Sequence, residues 1–361
     1  MNFPTGFESI QERIKIINPK KYAAGRNYVD GAVSYLSPYI SRGVISVNDV
    51  KKEVLKNYSS SESEKFLQEL AWREYWQRVW QSKGDGILQD LKHPQQKVLH
   101  HQMIKNITDA ATGIDAIDEH ILLMFEKGYM HNHVRMYVAS LVCNIGGAHW
   151  LQPAAWMYYH LLDGDVASNH LSWQWVAGSF SNKKYYCNQQ NINKFTHHHQ
   201  RESFLDFSYE HIEQMPVPET LMAKENNCLK TILPQTALPV IDSSIPVLIY
   251  NSYQLDPLWR KDEAANRILL LEPSFFKKFP VSELVIEFII NLAKNINRIE
   301  LFCGEIEDLV RSYPTIEIIS KEHPAFTHYP GTKDTRDWMF PQVQGYYPSF
   351  FSFWKKCEKF L

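Results

Sequence analysis

Cysteine is scarce in this 361-residue chain and poorly spaced: Cys143, Cys187, Cys228, Cys303 and Cys357, an odd number. No two stand at metal-ligand spacing. That excludes a disulfide framework, a zinc ribbon and an iron–sulfur loop, and leaves reduced, scattered cysteines. No apolar run approaches the roughly 18 residues of a membrane span. The opening MNFPTGFESIQER lacks a basic head followed by an apolar stretch, so no secretory signal is read and a cytoplasmic protein is expected. Net charge is also small, −2, which argues against a generic nucleic-acid coating protein.

What is present is aromatic. Ten Trp, 19 Tyr and 19 Phe make up 13% of the chain, and seven of the Trp precede residue 180. Such a set serves a large core or interface, or a site that stacks rings or moves electrons. Hydrophobic residues at 44% and charged residues at 22% describe a globular chain long enough for about two domains. Charge is uneven. Residues 1–200 hold 21 Lys+Arg against 18 Asp+Glu, and twelve of the fifteen His. A local basic groove on the first part is permitted.

Residues 1–200 read as helical. From Lys65, KFLQELAWREYWQRVWQ places apolar residues with helical period. IDAIDEHILLMFEKG ends at Gly128, a helix stop, and HNHVRMYVASLV and LQPAAWMYYHLL read as buried helices. Between 201 and 245 prolines break up a weakly periodic linker. From 246 to 361 strands PVLIYNS, RILLLEP, RIELFCG and TIEIISKEH alternate with helices SELVIEFIINLAKNI and EIEDLVRSY; DEAAN reads as a short helical piece. Alternation of this kind means βαβ units and a parallel sheet. The fold class expected is therefore an all-helical domain, a linker and a small α/β domain. THHHQ at 196–200 reads as a polar loop, and no metal site is read in the sequence.

Several patterns could carry chemistry. Glu69, Trp72, Arg73 and Trp76 share one helix face, as an ion pair with two core indoles or as a site. SYLSPYISRG clusters Ser34 and Ser37 before Pro38, an ordinary turn or a set of donors for an anion. In MHNHVRM, Asn132, Arg135 and Met136 share a face of a buried helix and need partners. In LLDGDVASNHLSWQWVAGS, Asp163 and Asp165 flank a glycine ahead of Asn169, Trp173 and Trp175. Paired carboxylates hold a divalent metal or accept the N–H groups of a heterocycle.

Taken in order, YAAGR, SYLSPYISRG, ELAWREYW, TGIDAID, GYMHNHVRM and DGDVASNHLSWQW resemble the FAD-binding helical domain of the DNA photolyase/cryptochrome family. The later strands and helices resemble that family's Rossmann-like α/β antenna domain, normally N-terminal, so the chain looks circularly permuted. The resemblance implies an FAD-dependent, blue-light-driven photolyase that splits cyclobutane pyrimidine dimers in DNA. The alternative is a cryptochrome-like photosensor signalling through a protein partner. A monomer, with no membrane partner, is expected.

By resemblance, Tyr22, Ser34, Leu36 and Ser37 would hold the FAD diphosphate, and Arg73 and Arg135 would lie near flavin and phosphates. Asp163 and Asp165 would accept hydrogen bonds from the cofactor, Asn132 would border it, and Asn169 would face flavin N5. Glu69, Trp72, Asn132, Met136 and Trp175 would receive a flipped dimer, with Arg26 on a phosphate. Glu69, if protonated, would stabilise the dimer radical anion. Trp150 and Trp173, 23 residues apart, match the inner members of an electron relay. The outer one lacks a counterpart near Gln96 to Val98; for Trp80 and Trp156, a structural role is the favoured reading. A second antenna chromophore is compatible with the α/β domain, its identity unreadable.

Departures are Val33, where a Thr is usual, His133, Leu122, and Ile145 in place of an acidic residue that pairs with the Arg135 equivalent. Without that carboxylate, Arg135 is expected to carry unneutralised charge and to favour an anionic flavin. Asn132 argues against the (6-4) photoproduct as substrate.

Overall fold

The computed structural model describes residues 2–361. Helices α1 (Phe7–Lys15), α2 (Val47–Asn57) and α3 (Ser60–Lys83) open the chain. Ser59 starts α3: its hydroxyl accepts the Glu62 N–H while Glu62 accepts the Ser59 N–H, a reciprocal cap. Along α3, every residue from Glu74 to Trp80 is buried, so the second half is sunk on all sides. This is why its apolar pattern carries no single stripe.

Helices α4 (Asp115–Lys127), α5 (Asn132–Ala139), α6 (Leu151–His160) and α7 (Val166–Ala177) follow. The expected stop at Gly128 is there, at φ +66°, which a β-carbon would strain. The chain does not leave α5 cleanly. Ser140–Ile145 widens into a π-helical turn, with the Gly146 N–H reaching back to Leu141.

The second half carries strands β1 (Val247–Tyr250), β2 (Asn266–Leu270), β3 (Ile299–Phe302), β4 (Ile318–Lys321) and β5 (Thr332–Asp334). All pair parallel, in the order β3-β2-β1-β4-β5. Helices α8 (Glu283–Ala293), α9 (Ile306–Ser312) and α10 (Phe350–Cys357) accompany them. Strand order reverses between β1 and β4, a switch point of the kind that opens a crevice at the carboxyl ends of the strands. An α plus α/β architecture is thus present as the periodicities require. DEAAN is a correction: it forms turns and extended backbone, because the side chain of Arg267, which follows it, ties the backbone carbonyls of Arg260, Lys261 and Glu263 into a loop.

Compactness divides the chain differently from its order. One unit holds the residues up to Lys20, Ser34–Ser82 and Lys230–Leu361; the other holds Lys21–Val33 and Lys83–Leu229. The first therefore joins α1, α2 and nearly all of α3 to the parallel sheet. The second carries its own core, built from residues such as Ile117, Tyr137, Val142, Trp150 and Trp173.

Candidate functional site

In the first unit, Glu69, Trp72, Arg73 and Trp76 lie on consecutive turns of α3. Glu69 is half-buried and pairs with Lys65 at 3.4 Å, an i, i+4 contact on the same helix. Trp72 is stacked. Phe350, the first residue of α10, lies parallel to its ring with centroids 3.8 Å apart and an angle of 11°. Trp76 is buried and tilts against Trp72 at 5.1 Å. No sequence pattern links Phe350 to Trp72, so this contact was not readable from either motif.

Arg73 borders a cavity of about 110 Å³ at the carboxyl ends of β1 and β4, with Tyr253, Lys321, His323 and Trp338. Cofactor and drug sites run from roughly 300 Å³ upward, so this space suits waters. Glu74 closes one side, 2% exposed, accepting the Met339 and Phe340 N–H groups at 2.5 and 3.2 Å. Burial pushes its carboxyl up, against the pull of Arg78. Ser34 and Leu36 precede the five-residue helix Ser37–Ser41; the Ser34 hydroxyl accepts the Leu36 N–H at 3.4 Å, and Leu36 is buried.

In the second unit the candidates converge further. Arg135 donates from one terminal nitrogen to both oxygens of Asp163, at 3.0 and 2.9 Å, and from Nε to the Met130 carbonyl at 2.8 Å. This corrects the expectation drawn from Ile145. Arg135 is neutralised, by Asp163 in place of a carboxylate at position 145. Asp165 caps α7, accepting the Ser168 N–H at 2.7 Å. One turn on, Asn169 donates from Nδ2 to the Ala154 carbonyl at 2.8 Å, and its Oδ1 accepts nothing among the described residues. The Ser168 hydroxyl is buried without a partner.

Asn132 is exposed at the start of α5. Its neighbour His131 caps that helix, with Nδ1 accepting the His133 N–H at 3.2 Å. The proton therefore sits on Nε2, which is buried and unpartnered. Burial, then His133, lowers the His131 pKa to about 4, so the ring is neutral at pH 7. His133 donates from Nδ1 to the Asn27 carbonyl, 3.0 Å away, and faces Tyr137 and Phe195. Tyr22 is half-buried in the helix Pro19–Gly25, and Arg26 bonds the Ala23 carbonyl at 3.0 Å. Met136 packs against the core, and Trp175 is 36% exposed near Tyr185.

Trp150 and Trp173 are both buried. Trp150 has a partner that the spacing did not reveal: its indole N–H donates to Asp90 at 2.7 Å, and His149 Nε2 stands 3.6 Å from the same carboxylate. Asp90 lies in a non-periodic stretch, where nothing local marks it. The His tract is a loop, with His197 on Asp30 and His198 on Glu119.

The donor set around Asp163, Asp165, Ser168 and Asn169 suits a heterocycle with several N–H and hydroxyl groups. Residues 66–227 match the family model described as the FAD-binding domain of DNA photolyase. The deoxyribodipyrimidine photo-lyase of Agrobacterium fabrum is 31% identical over 167 residues, covering 44% of this chain and 35% of that protein. That of Streptomyces griseus is 30% identical over 166 residues, with the same coverage. A cryptochrome DASH from Natronomonas pharaonis is 27% identical over 168 residues, again 44% and 35%. The matched stretch thus spans about a third of the length of these relatives.

Proposed function

We propose that the chain, whose residues 66–227 match the FAD-binding domain of DNA photolyase, is a member of the DNA photolyase/cryptochrome family and a deoxyribodipyrimidine photolyase-like lyase. It uses FAD and blue light to split cyclobutane pyrimidine dimers in DNA. The observation that carries the reading is the open acceptor of Asn169, in the first turn of α7 with the unpartnered Ser168 hydroxyl, the Asp163–Arg135 pair lying in the turn before that helix. A flavin ring and ribityl chain carry the N–H and hydroxyl groups that the Asn169 acceptor and the buried Ser168 hydroxyl would meet.

Reduced FAD, when bound, supplies the light-excited electron that opens the cyclobutane ring. The protein's part is binding and electrostatics. Asn169 Oδ1 would accept the flavin N5–H, and Asp163 and Asp165 would hold the ring and ribityl groups. Arg135, fixed by Asp163, would give a neutral pair instead of a bare cation. Tyr22, Ser34, Leu36, Ser37 and Arg73 would serve the diphosphate. Trp173 and Trp150 would pass electrons, with Asp90 in place to take the indole proton. Glu69, Trp72, Asn132, Met136 and Trp175 would receive the extruded dimer, with Arg26 on the backbone phosphate. We read the order of segments, with β1 beginning at Val247 after the FAD-binding stretch ends, as a circular permutation. A second, antenna chromophore, of unidentified chemistry, would be carried by the α/β part.

One observation favours the photosensor alternative: the Trp72 face offered to a lesion is already covered by Phe350. Protein purified in the dark should show flavin absorption bands. After photoreduction, blue light with dimer-containing oligothymidine should restore thymine absorbance. Flavin bands without reversal would shift the reading to the sensor, and a colourless protein would end both.

A further inference from the structure

A second site stands at the other edge of the switch point, where the carboxyl ends of β2 and β3 meet. Glu272 lies two residues beyond β2, Glu305 three beyond β3, and Glu307 in the first turn of α9. Each offers a carboxylate oxygen, and these oxygens lie within 4.8 Å of one another. Glu272 is buried, Glu305 half-buried and Glu307 exposed. His328, on the connection from β4 to β5, brings Nε2 to 3.0 Å from both Glu272 oxygens. An ion with bonds of about 2.1 Å holds neighbouring octahedral donors about 3.0 Å apart, so imidazole and carboxylate already sit as adjacent ligands would.

Acidic clusters are common without ions, and the feature that sets this one apart is Tyr329. Its side chain is 2% exposed, and its hydroxyl makes no hydrogen bond of normal geometry. The charges around it are Glu272, Glu305 and Glu307, and the hydroxyl is turned toward the Glu272 carboxylate in a contact too poorly aligned for a hydrogen bond. A buried phenol normally finds a partner, and leaving one unsatisfied costs about 1–3 kcal/mol. A water bound to an ion among these carboxylates would supply that partner. No Lys or Arg among the described residues pairs with any of the three. What holds them is neutral: Ser274 donates to Glu305 from N–H and hydroxyl at 2.8 and 2.7 Å, and the Ile306 N–H donates to Glu272 at 3.2 Å. Each carboxylate keeps lone pairs to spare.

We propose that Glu272, Glu305, Glu307 and His328 bind one divalent cation of the manganese class. Carboxylates in the majority with one imidazole suit Mn²⁺ better than Mg²⁺, which prefers oxygen and water, or Zn²⁺, which favours nitrogen and sulfur. The ion ties the ends of β2 and β3 to the β4–β5 connection. The site is independent of the flavin reading.

The test uses the full chain, stripped with chelator and titrated with MnCl₂, with free Mn²⁺ read by room-temperature electron paramagnetic resonance. One equivalent should bind, and the melting temperature should rise. Glu307→Gln removes an exposed ligand without threatening the fold and should weaken binding at least about tenfold, as should His328→Ala. Substituting His197, His198 and His199 together should leave binding unchanged. No binding at about 1 mM free Mn²⁺, where even the weakest protein Ca²⁺ modules are half-filled, overturns the proposal. So does wild-type affinity in either ligand variant, or loss of binding in the His-tract variant alone.

Discussion

Arg135 and Asp163 form a partly buried ion pair in which one guanidinium nitrogen serves both carboxylate oxygens, at 3.0 and 2.9 Å. The pair spans α5 and the turn before α7, and its side chains are 20% and 5% exposed. It does the work that a carboxylate at position 145 would do. Removing one member strands a charge, which costs more than the pair itself contributes. Asp163→Asn should therefore lower stability by about 3 kcal/mol in urea unfolding and reduce flavin retention on gel filtration. Stability within about 0.5 kcal/mol of wild type would show that Arg135 finds another partner.

Glu69 is half-buried, and its ion-pair partner Lys65 is 41% exposed, so its structural contribution is small. Glu69→Ala should change stability by less than about 0.5 kcal/mol and leave flavin content intact. If it meets the dimer, repair should fall about a hundredfold, the usual cost of one hydrogen-bonding group at a site of developing charge. An unchanged repair rate would remove Glu69 from the chemistry.

Phe350 fills the space beside Trp72 and is itself buried. Phe350→Ala should cost about 3 kcal/mol, through lost burial and a cavity. In the photolyase reading it should also strengthen binding to dimer-containing oligonucleotide, by uncovering the indole. Binding that weakens with stability would mean the stack is part of the functional conformation.

Trp150 donates to Asp90 from a fully buried position. Trp150→Phe removes the donor and leaves a cavity where the second ring sat, and should lower stability by about 2–3 kcal/mol. In the proposed relay it should also abolish photoreduction of bound flavin, followed by the loss of the oxidised absorption band under blue light. Photoreduction at the wild-type rate would mean that electrons bypass this ring.

His170 is buried in α7, with Nδ1 on the Val166 carbonyl at 3.0 Å. Burial lowers its pKa to about 4, against the opposing pulls of that bond and Asp165. The folded ring is thus neutral where the unfolded ring takes a proton. Stability present above the unfolded pKa of about 6.5 is then lost as pH falls toward 4. His131 and His160, also lowered to about 4 by burial, act in the same direction. Between pH 7 and pH 5 each should cost about 2 kcal/mol. Urea unfolding of His170→Gln should show a smaller loss over that interval, and an unchanged slope would place the effect elsewhere.

The sequence by itself determined the elements and the local faces. Helical period put Glu69, Trp72, Arg73 and Trp76 on one side of α3, Gly128 ended α4, and the alternation after residue 246 required a parallel sheet. These follow from backbone geometry, whose repeats are written in neighbouring residues. Tertiary structure alone decided the partners. Asp163 reaches Arg135 across 28 residues, Asp90 reaches Trp150 across 60, and Phe350 covers Trp72 from the far end of the chain. It also decided that α3 packs with the parallel sheet in one compact unit, and that Glu272, Glu305, Glu307 and His328 meet at one edge. Such contacts depend on which surfaces bury each other, a property of the assembled chain that no local pattern carries.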